Sequence, residues 1–130
     1  MVKRTLVRSD RPRRILVVDD NTDVAELTGE LLTEMGHTVR IANDGAAALE
    51  LLATFEAEIA LLDLGLPVMD GYELARRVRA TAQNQPYLVA VTGYGRASDQ
   101  ALVAAAGFDT HLVKPVSIET LVRIIEGVKD

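Results

Sequence analysis

Short apolar runs alternate with stretches of helical periodicity along most of the chain. An uninterrupted apolar run is typical of a strand buried on both faces, whereas apolar residues three and four apart indicate a helix packed on one side. The pattern predicts five strands, at residues 15–18, 37–42, 59–62, 88–91 and a short one that ends at 112–113. It predicts five helices, at about residues 22–35, 44–55, 72–80, 98–106 and 118–128.

Several predicted helices begin or end at residues suited to that position. Asp44 and Ser117 can cap the second and fifth helices. Gly36 can close the first helix, because glycine adopts the backbone conformation found after a helix end. The apolar stripe of the first helix comprises Val24, Leu27, Leu31 and Met35.

Strands that alternate with helices predict an α/β domain with a doubly wound, five-stranded parallel sheet. Right-handed crossovers place helices on both faces of such a sheet. Ligands of these folds bind beyond the carboxyl ends of the strands, near the point where the strand order reverses. We therefore expect functional residues directly after the apolar runs.

The composition is that of one globular domain of 130 residues. The net charge of −5 argues against nucleic acid as a direct partner. The lack of cysteine excludes a disulfide framework and fits the cytoplasm. No apolar run approaches the roughly 20 residues that span a bilayer, so we expect a cytoplasmic protein without a membrane partner.

The start of the chain is basic and has no apolar core, so it does not resemble a signal peptide. We expect a flexible N-terminal segment at residues 1–13 and a single domain at residues 14–130. Basic side chains between residues 1 and 14 could bind phosphate, but a solvated terminus is the simpler interpretation. These side chains are Lys3, Arg4, Arg8, Arg11, Arg13 and Arg14.

Polar residues stand directly after four of the five predicted strands. They are Asp19 and Asp20, then Asp63, then Thr92, and finally Lys114 with Pro115. The second strand adds no such group, since Ala42 leads into Asn43. Because the carboxyl ends of parallel strands lie at one edge, three carboxylates, a hydroxyl and an ammonium are expected to converge there.

Each residue type has a chemical use at this edge. Crowded carboxylates repel one another unless a cation compensates them. Oxygen ligands without histidine or cysteine favour Mg²⁺ or Mn²⁺ over zinc. A carboxylate beside such a metal can attack phosphorus and form an acyl phosphate. Lys114 and the metal would neutralise the phosphoryl oxygens, and Thr92 could donate a hydrogen bond to one of them.

Taken singly, each of these residues has an ordinary explanation. Asp19 and Asp20 could merely cap a helix, and Lys114 could be a solvated surface lysine. Their convergence on one edge is what favours a functional site. By contrast, Asp70 and Gly71 are interpreted as turn and helix-start residues, and His37 as a residue of the strand surface without a further role.

Four motifs resemble those of two-component response-regulator receiver domains of the chemotaxis-regulator type. They are residues 17–21 (VVDDN), 63–71 (DLGLPVMDG), 91–93 (VTG) and 113–115 (VKP), and the resemblance extends from about residue 14 to the end. One motif alone would be weak, but all four occur in order at strand ends. The resemblance implies a flavodoxin-like fold with strand order 2-1-3-4-5.

The resemblance also implies a role for each site residue. Asp63 corresponds to the phosphoacceptor, which becomes a 4-aspartylphosphate, and Thr92 corresponds to the switch hydroxyl. Lys114 corresponds to the phosphate-binding lysine, and the peptide bond before Pro115 is expected to be cis. Mg²⁺ or Mn²⁺ would be held by Asp19, Asp20, Asp63 and the backbone carbonyl of Gly65.

A receiver domain would take its phosphoryl group from a histidine kinase or a histidine phosphotransfer domain. Phosphorylation would then change a surface of helix 4, strand 5 and helix 5, to which a downstream protein binds. Such a domain is not an enzyme beyond catalysing its own phosphorylation and dephosphorylation. A stand-alone regulator and the receiver of a hybrid sensor histidine kinase are both open, and the motifs at Asp63 and Thr92 look more like those of hybrid-kinase receivers.

Two positions depart from the family pattern. His111 stands where the aromatic switch residue is usually Tyr or Phe, and imidazole is smaller and can change its charge near neutral pH. Gly65 offers no side chain over the phosphoryl site, which Tyr94 could partly cover. The lifetime of the acyl phosphate therefore stays open.

Two other functions compete with the receiver interpretation. A phosphohydrolase of the haloacid-dehalogenase type would carry a second aspartate two residues after the nucleophile, where this chain has Gly65. A flavodoxin-like flavin module would carry a Ser/Thr/Gly loop after the first strand. Asp19 and Asp20 stand there instead and would repel the flavin phosphate.

Overall fold

The computed structural model describes residues 9–81, 83–93 and 100–129. Strands and helices alternate throughout these ranges. The strands are β1 (Arg14–Val18), β2 (Thr38–Ala42), β3 (Ile59–Asp63), β4 (Tyr87–Thr92) and β5 (Thr110–Val113). The helices are α1 (Thr22–Glu34), α2 (Gly45–Leu52), α3 (Gly71–Thr81), α4 (Gln100–Ala105) and α5 (Ile118–Gly127).

The strands form one parallel sheet in the order β2-β1-β3-β4-β5, as predicted. The chain lays β2 on one side of β1 and then β3 on the other. The strand order therefore reverses between β1 and β3, and the crevice at their carboxyl ends is where such folds bind ligands. Among the described residues, no helix is long and apolar enough to cross a bilayer.

The helices cover both faces of the sheet and create two apolar clusters. On one face α2, α3 and α4 contribute Ala48, Leu74 and Val103, among others. On the other face α1 and α5 contribute Ala25, Leu32 and Ile125. Alternate residues of β1 and β3 enter opposite clusters, which explains why these strands are continuously apolar in the sequence.

The predicted elements agree with the observed ones to within a few residues, and both predicted caps are confirmed. The side chain of Asp44 accepts a hydrogen bond from the Ala47 amide, and that of Ser117 accepts one from the Thr120 amide. Gly36 follows α1 with φ of 103°, the left-handed conformation expected after a helix end. Residues 98 and 99, which we assigned to the fourth helix, lie outside the described residues.

The predicted inner face of α1 is wrong in part. Leu27 is 58% exposed and Val24 39% exposed, whereas Ala25 and Gly29 face the sheet. A methyl group added to Gly29 would lie 3.0 Å from Cδ1 of Ile41, so small residues allow α1 to approach the sheet closely. Hydrophobic periodicity gives such small residues too little weight, which explains the error.

An arginine and a histidine, Arg13 and His37, are buried at the opposite edge of the sheet, where β1, β2 and β3 begin. The Arg13 amide donates to Nδ1 of His37 over 2.9 Å. The Arg13 guanidinium donates to the Val128 carbonyl and lies 3.5 Å from Oε2 of Glu58. Ser9 reaches the same edge, because its hydroxyl donates to Glu126 over 3.0 Å. We call Arg13, His37, Glu58 and Glu126 the amino-end cluster.

Two sequence interpretations fail at the amino-end cluster. Arg13 is not solvated but only 3% exposed, and His37 is buried rather than a residue of the strand surface. Burial lowers the pKa of His37, and the nearby Arg13 charge lowers it further, while Glu126 and Glu58 oppose the shift. Both residues therefore belong to the folded domain rather than to a solvated periphery.

Candidate functional site

Two strand ends next to the reversal point position the acidic residues. Asp19 and Asp20 follow the last residue of β1, and Asp63 is the last residue of β3. The two strands are direct neighbours, with Val18 opposite Leu62 in the register. Packing on both faces fixes these apolar strands, so the backbone that carries the carboxylates is held in place.

The structure brings the three predicted carboxylates together. One carboxylate oxygen from each of Asp19, Asp20 and Asp63 lies within 4.8 Å of the others. Asp19 and Asp63 are 5% and 6% exposed, while Asp20 is exposed at the mouth of the crevice. We call these three residues the acidic site.

Both oxygens of the Asp63 carboxylate have partners. Oδ1 accepts a hydrogen bond of 2.9 Å from the Gly65 amide, and Oδ2 lies 3.3 Å from Nζ of Lys114. The bond to Gly65 fixes the rotation of the carboxylate within its own loop. The Gly65 amide makes this contact. The metal-binding role that the resemblance implies for the Gly65 carbonyl stays a prediction.

Lys114 directly follows β5, and its side chain reaches the acidic site across the end of β4. Its Nζ lies 2.8 Å from Oδ2 of Asp19 and 3.3 Å from Oδ2 of Asp63. Burial alone would lower the pKa of Lys114, but the hydrogen bond to Asp19 and the charges of Asp63 and Asp19 outweigh it and raise the pKa. Lys114 is therefore a firmly charged ammonium that compensates part of the negative charge.

The remaining predicted residues lie on the neighbouring strands. Thr92 ends β4 and is 4% exposed, one residue beyond the Val91 that pairs with Asp63. His111 is half-buried in β5 and pairs with Ala90, a residue of the apolar cluster that includes Val103 of α4. The Lys114–Pro115 bond is cis, as predicted. Tyr94 lies outside the described residues.

The loop from Asp63 to α3 is more tightly built than the sequence suggested. Asp70 acts as the predicted helix-start residue, because its side chain accepts from the Glu73 amide over 2.9 Å. A methyl group on Gly71 would come within 2.5 Å of the Asp63 carbonyl oxygen and 2.7 Å of the Leu64 Cα. Gly71 is thus required for the close approach of α3 to the backbone of Asp63, and periodicity carries no signal for such a contact.

The second strand contributes to the site, contrary to the sequence interpretation. The side-chain amide of Asn43, the residue after β2, donates a hydrogen bond of 2.9 Å to the Asp19 carbonyl. Asparagine is not a typical metal ligand. The only signal in the sequence for a role of Asn43 at the site was therefore its position directly after a strand. Strand ends β1, β2, β3, β4 and β5 therefore all supply a residue to this edge.

The donor set fits a hard divalent cation. The acidic site offers carboxylate oxygens only, which suits Mg²⁺ or Mn²⁺ better than zinc. Among the described residues, the ammonium in contact is that of Lys114, which compensates a single negative charge among three. Two formal charges are left for a metal to balance.

Comparison with known sequences identifies the family. The model of the response regulator receiver domain matches residues 15–126. The response regulator MprA of Mycobacterium ulcerans is 39% identical over 108 residues, which are 83% of this chain and 46% of that protein. MprA of Mycobacterium leprae is 37% identical over 88% of this chain and 50% of its own length. The chain thus spans about half the length of these relatives.

Solved structures agree with this assignment. A CheY-like response regulator receiver domain protein of Methanospirillum hungatei has a TM-score of 0.81 and 30% identity, with 89% of this chain and 92% of that chain covered. The receiver domain of the sensor histidine kinase PA1611 of Pseudomonas aeruginosa, described with a magnesium ion in its active-site cleft, has a TM-score of 0.78 and 29% identity, with 89% and 96% covered. The chain belongs to the response regulator receiver domain family.

Proposed function

We propose that this domain accepts a phosphoryl group on Asp63 and uses it to switch a protein-binding surface in two-component signalling. The observation that carries the proposal is the acidic site, in which Asp63 lies beside two further carboxylates and the Lys114 ammonium. Phosphoryl transfer depends on placement and charge neutralisation more than on proton transfer. These four groups supply both.

A bound Mg²⁺ would neutralise charge on the transferring phosphoryl group and bring it to the carboxylates. Asp19, Asp20 and Asp63 are the side chains suited to hold it, together with the backbone carbonyl of Gly65. The two charges that Lys114 leaves uncompensated support this assignment.

The chemistry at Asp63 is a displacement at phosphorus. A carboxylate oxygen of Asp63 forms the new O–P bond while the P–N bond of a phosphohistidine breaks. The electron pair of that bond returns to the donor's imidazole, so no oxidant or further reactant is required. The Gly65 amide holds the Asp63 carboxylate in one rotation, and the Lys114 ammonium stabilises charge on the phosphoryl oxygens.

The switch follows from the new charge on Asp63. Lys114 now shares its charge between Asp19 and the phosphoryl group, and the Thr92 hydroxyl donates to a phosphoryl oxygen. His111 repacks behind Thr92, on the face of the sheet that α4 covers. The surface of α4, β5 and α5 changes with it and binds the downstream protein. His111 is smaller than the usual aromatic residue, so the packing part of this switch is expected to be weaker.

The phosphodonor in this proposal is a histidine kinase or a histidine phosphotransfer domain in the cytoplasm. The two sequence relatives described above are response regulators, and they give no support to the hybrid-kinase alternative. The domain acts as a phosphoacceptor and not as a turnover enzyme. Steady-state release of phosphate from small phosphoesters would instead favour a phosphohydrolase.

The test is phosphorylation by acetyl phosphate with Mg²⁺, followed by the intact mass of the protein. We expect the wild-type chain to gain one phosphoryl group and Asp63→Asn to gain none. Asp70→Asn is the matched control, because Asp70 is an exposed carboxylate of the same loop and asparagine also caps a helix. Equal labelling of the wild type and Asp63→Asn, or no labelling of the wild type, contradicts the proposal.

A further inference from the structure

Asn43 links the end of β2 to the backbone of the acidic site. Its Nδ2 lies 2.9 Å from the carbonyl oxygen of Asp19. This carbonyl belongs to the peptide group that joins Asp19 to Asp20. A hydrogen bond to it therefore limits rotation of that peptide and sets the direction in which the Asp20 side chain leaves the backbone.

The two aspartates differ in how else they are held. The Asp19 amide donates to the Ala42 carbonyl over 3.1 Å, and its carboxylate accepts from the Asn21 amide over 2.9 Å and contacts Lys114. Asp20 is exposed, and no cation in the described part of the chain forms an ion pair with it. The position of the Asp20 carboxylate thus depends chiefly on its backbone.

Electrostatic repulsion acts against this position. Three carboxylates within 4.8 Å favour an outward movement of the one that is exposed and has no ion pair. Such a movement would have to be reversed, at a cost in free energy, whenever a cation binds. A bond that holds the backbone on the inner side of Asp20 reduces that cost.

We propose that Asn43 is a positioning residue, which holds the Asp19–Asp20 peptide so that Asp20 is directed toward Asp63 before a cation arrives. This inference rests on the proposed function, because it concerns the cation of the same site. Asn43 itself contacts neither the cation nor the phosphoryl group. The competing explanation is that Asn43 merely satisfies a carbonyl at the edge of the β1–β2 pairing and contributes stability alone.

The first experiment separates affinity from rate in Asn43→Ala. We expect the affinity for Mg²⁺, measured by titration of amide chemical shifts, to fall about tenfold, as is usual for residues that orient a metal ligand. At saturating Mg²⁺ the rate of phosphorylation by acetyl phosphate should return to within about twofold of wild type, because Asp63 and Lys114 are unchanged. A purely structural role predicts that the affinity of the folded protein for Mg²⁺ is unchanged.

Ser117→Ala is the matched control. Ser117 also makes one neutral hydrogen bond from its side chain to the backbone, at the start of α5. Its loss lowers stability by about 1 kcal/mol. We expect this variant to bind Mg²⁺ like the wild type, so a general loss of stability does not imitate the effect of Asn43→Ala.

The second experiment needs no metal. The amide nitrogen of Asp20 belongs to the same peptide group as the Asp19 carbonyl that accepts from Asn43. Its chemical shift in the metal-free protein should therefore change in Asn43→Ala and stay unchanged in Ser117→Ala. An unchanged Mg²⁺ affinity in Asn43→Ala overturns the inference, as does a wild type that binds no Mg²⁺. If the wild type binds Mg²⁺ but takes no phosphoryl group, the proposed function fails and the role of Asn43 is still decided by the titration.

Discussion

The two edges of the sheet use charged residues in opposite ways. At the amino ends of the strands, buried Arg13 meets Glu58, and its amide donates to the His37 ring. At the carboxyl ends, three like charges lie within 4.8 Å, and Lys114 pairs with two of them. The same apolar strands carry both edges, so packing alone does not account for the difference in how their charges are arranged.

The residues of the amino-end cluster stabilise the fold, whereas those of the acidic site reduce its stability in favour of function. In the amino-end cluster Arg13 pairs with the opposite charge of Glu58. Hydrogen bonds from Arg13 to the Val128 carbonyl and from Ser9 to Glu126 fasten the chain before β1 to the end of α5. In the acidic site like charges repel, and the Lys114 ammonium relieves only part of the repulsion. Functional sites commonly violate the rules that stabilise the rest of a protein. Substitutions at the two edges should therefore change stability in opposite directions.

The largest effect is expected for Arg13→Met. This change removes a buried guanidinium that donates to the Val128 carbonyl and pairs with Oε2 of Glu58. Because Glu58 is only partly buried, we expect the free energy of unfolding in urea to fall by about 2–3 kcal/mol, somewhat less than for a fully buried ion pair.

Arg14→Met is the control for this change. Arg14 lies 3.6 Å from the other oxygen of Glu58, but 51% of its side chain is exposed. Exposed ion pairs contribute little, so the loss should stay below about 1 kcal/mol. Equal losses in Arg13→Met and Arg14→Met would mean that the amino-end cluster owes nothing to burial.

The opposite sign is expected for Asp20→Asn in the absence of metal. The substitution removes one of three repelling charges and breaks no ion pair with Lys114, which contacts Asp19 and Asp63. Unfolding in urea with a chelator should show a gain of up to about 1 kcal/mol, the Coulomb energy of such a pair in a well-solvated position. With Mg²⁺ the order should reverse, since the wild type gains stability from binding and the variant loses most of that gain.

Asp23→Asn tests whether the gain is specific to the acidic site. Asp23 lies in the first turn of α1, where a negative charge interacts favourably with the helix dipole. Its replacement should lower stability by a few tenths of a kcal/mol, with or without Mg²⁺. A gain in both variants would show that any reduction of the net negative charge is stabilising and that the acidic site is not special.

Sequence reasoning predicted the carboxyl-end edge well and the amino-end edge poorly. Asp63 and Lys114 each follow an apolar run, and parallel strands bring such positions to one edge whatever the details of packing. The chemistry of that edge was therefore open to prediction. Arg13 and His37 precede strands, where no comparable rule assigns them partners, and their polarity suggested solvent.

The contacts that escaped prediction share a cause. Gly71 acts by lacking a side chain where α3 approaches Asp63, and Asn43 acts through a backbone carbonyl of another strand. Neither type of contact leaves a period or a charge pattern in the sequence. The inner face of α1 was missed for the same reason, because Ala25 and Gly29 allow close approach rather than supply apolar area.

The smallest predicted effect concerns His37 and is a dependence of stability on pH. The Nδ1 atom of His37 accepts a hydrogen bond from the Arg13 amide, so Nδ1 carries no proton in this arrangement. Protonation of Nδ1 would make it a donor that faces the Arg13 N–H, and the hydrogen bond would be lost. The pKa of His37 is lowered from its ordinary value of 6.5 in the folded protein, chiefly by burial and further by Arg13, against Glu126 and Glu58. The unfolded chain therefore binds the proton more readily. Stability is fully present above pH 6.5 and declines as the pH falls below it.

Replacement of the two histidines tests which edge is responsible for this decline. In His37→Asn the side-chain oxygen can still accept from the Arg13 amide but cannot be protonated, so the free energy of unfolding should change less between pH 7 and pH 5 than in the wild type. His111→Asn leaves His37 in place and should keep the wild-type slope. Both pH limits lie above the usual carboxylate range, at about pH 4. If the slope disappears in His111→Asn instead, the proton is taken up beside the switch surface and not within the amino-end cluster.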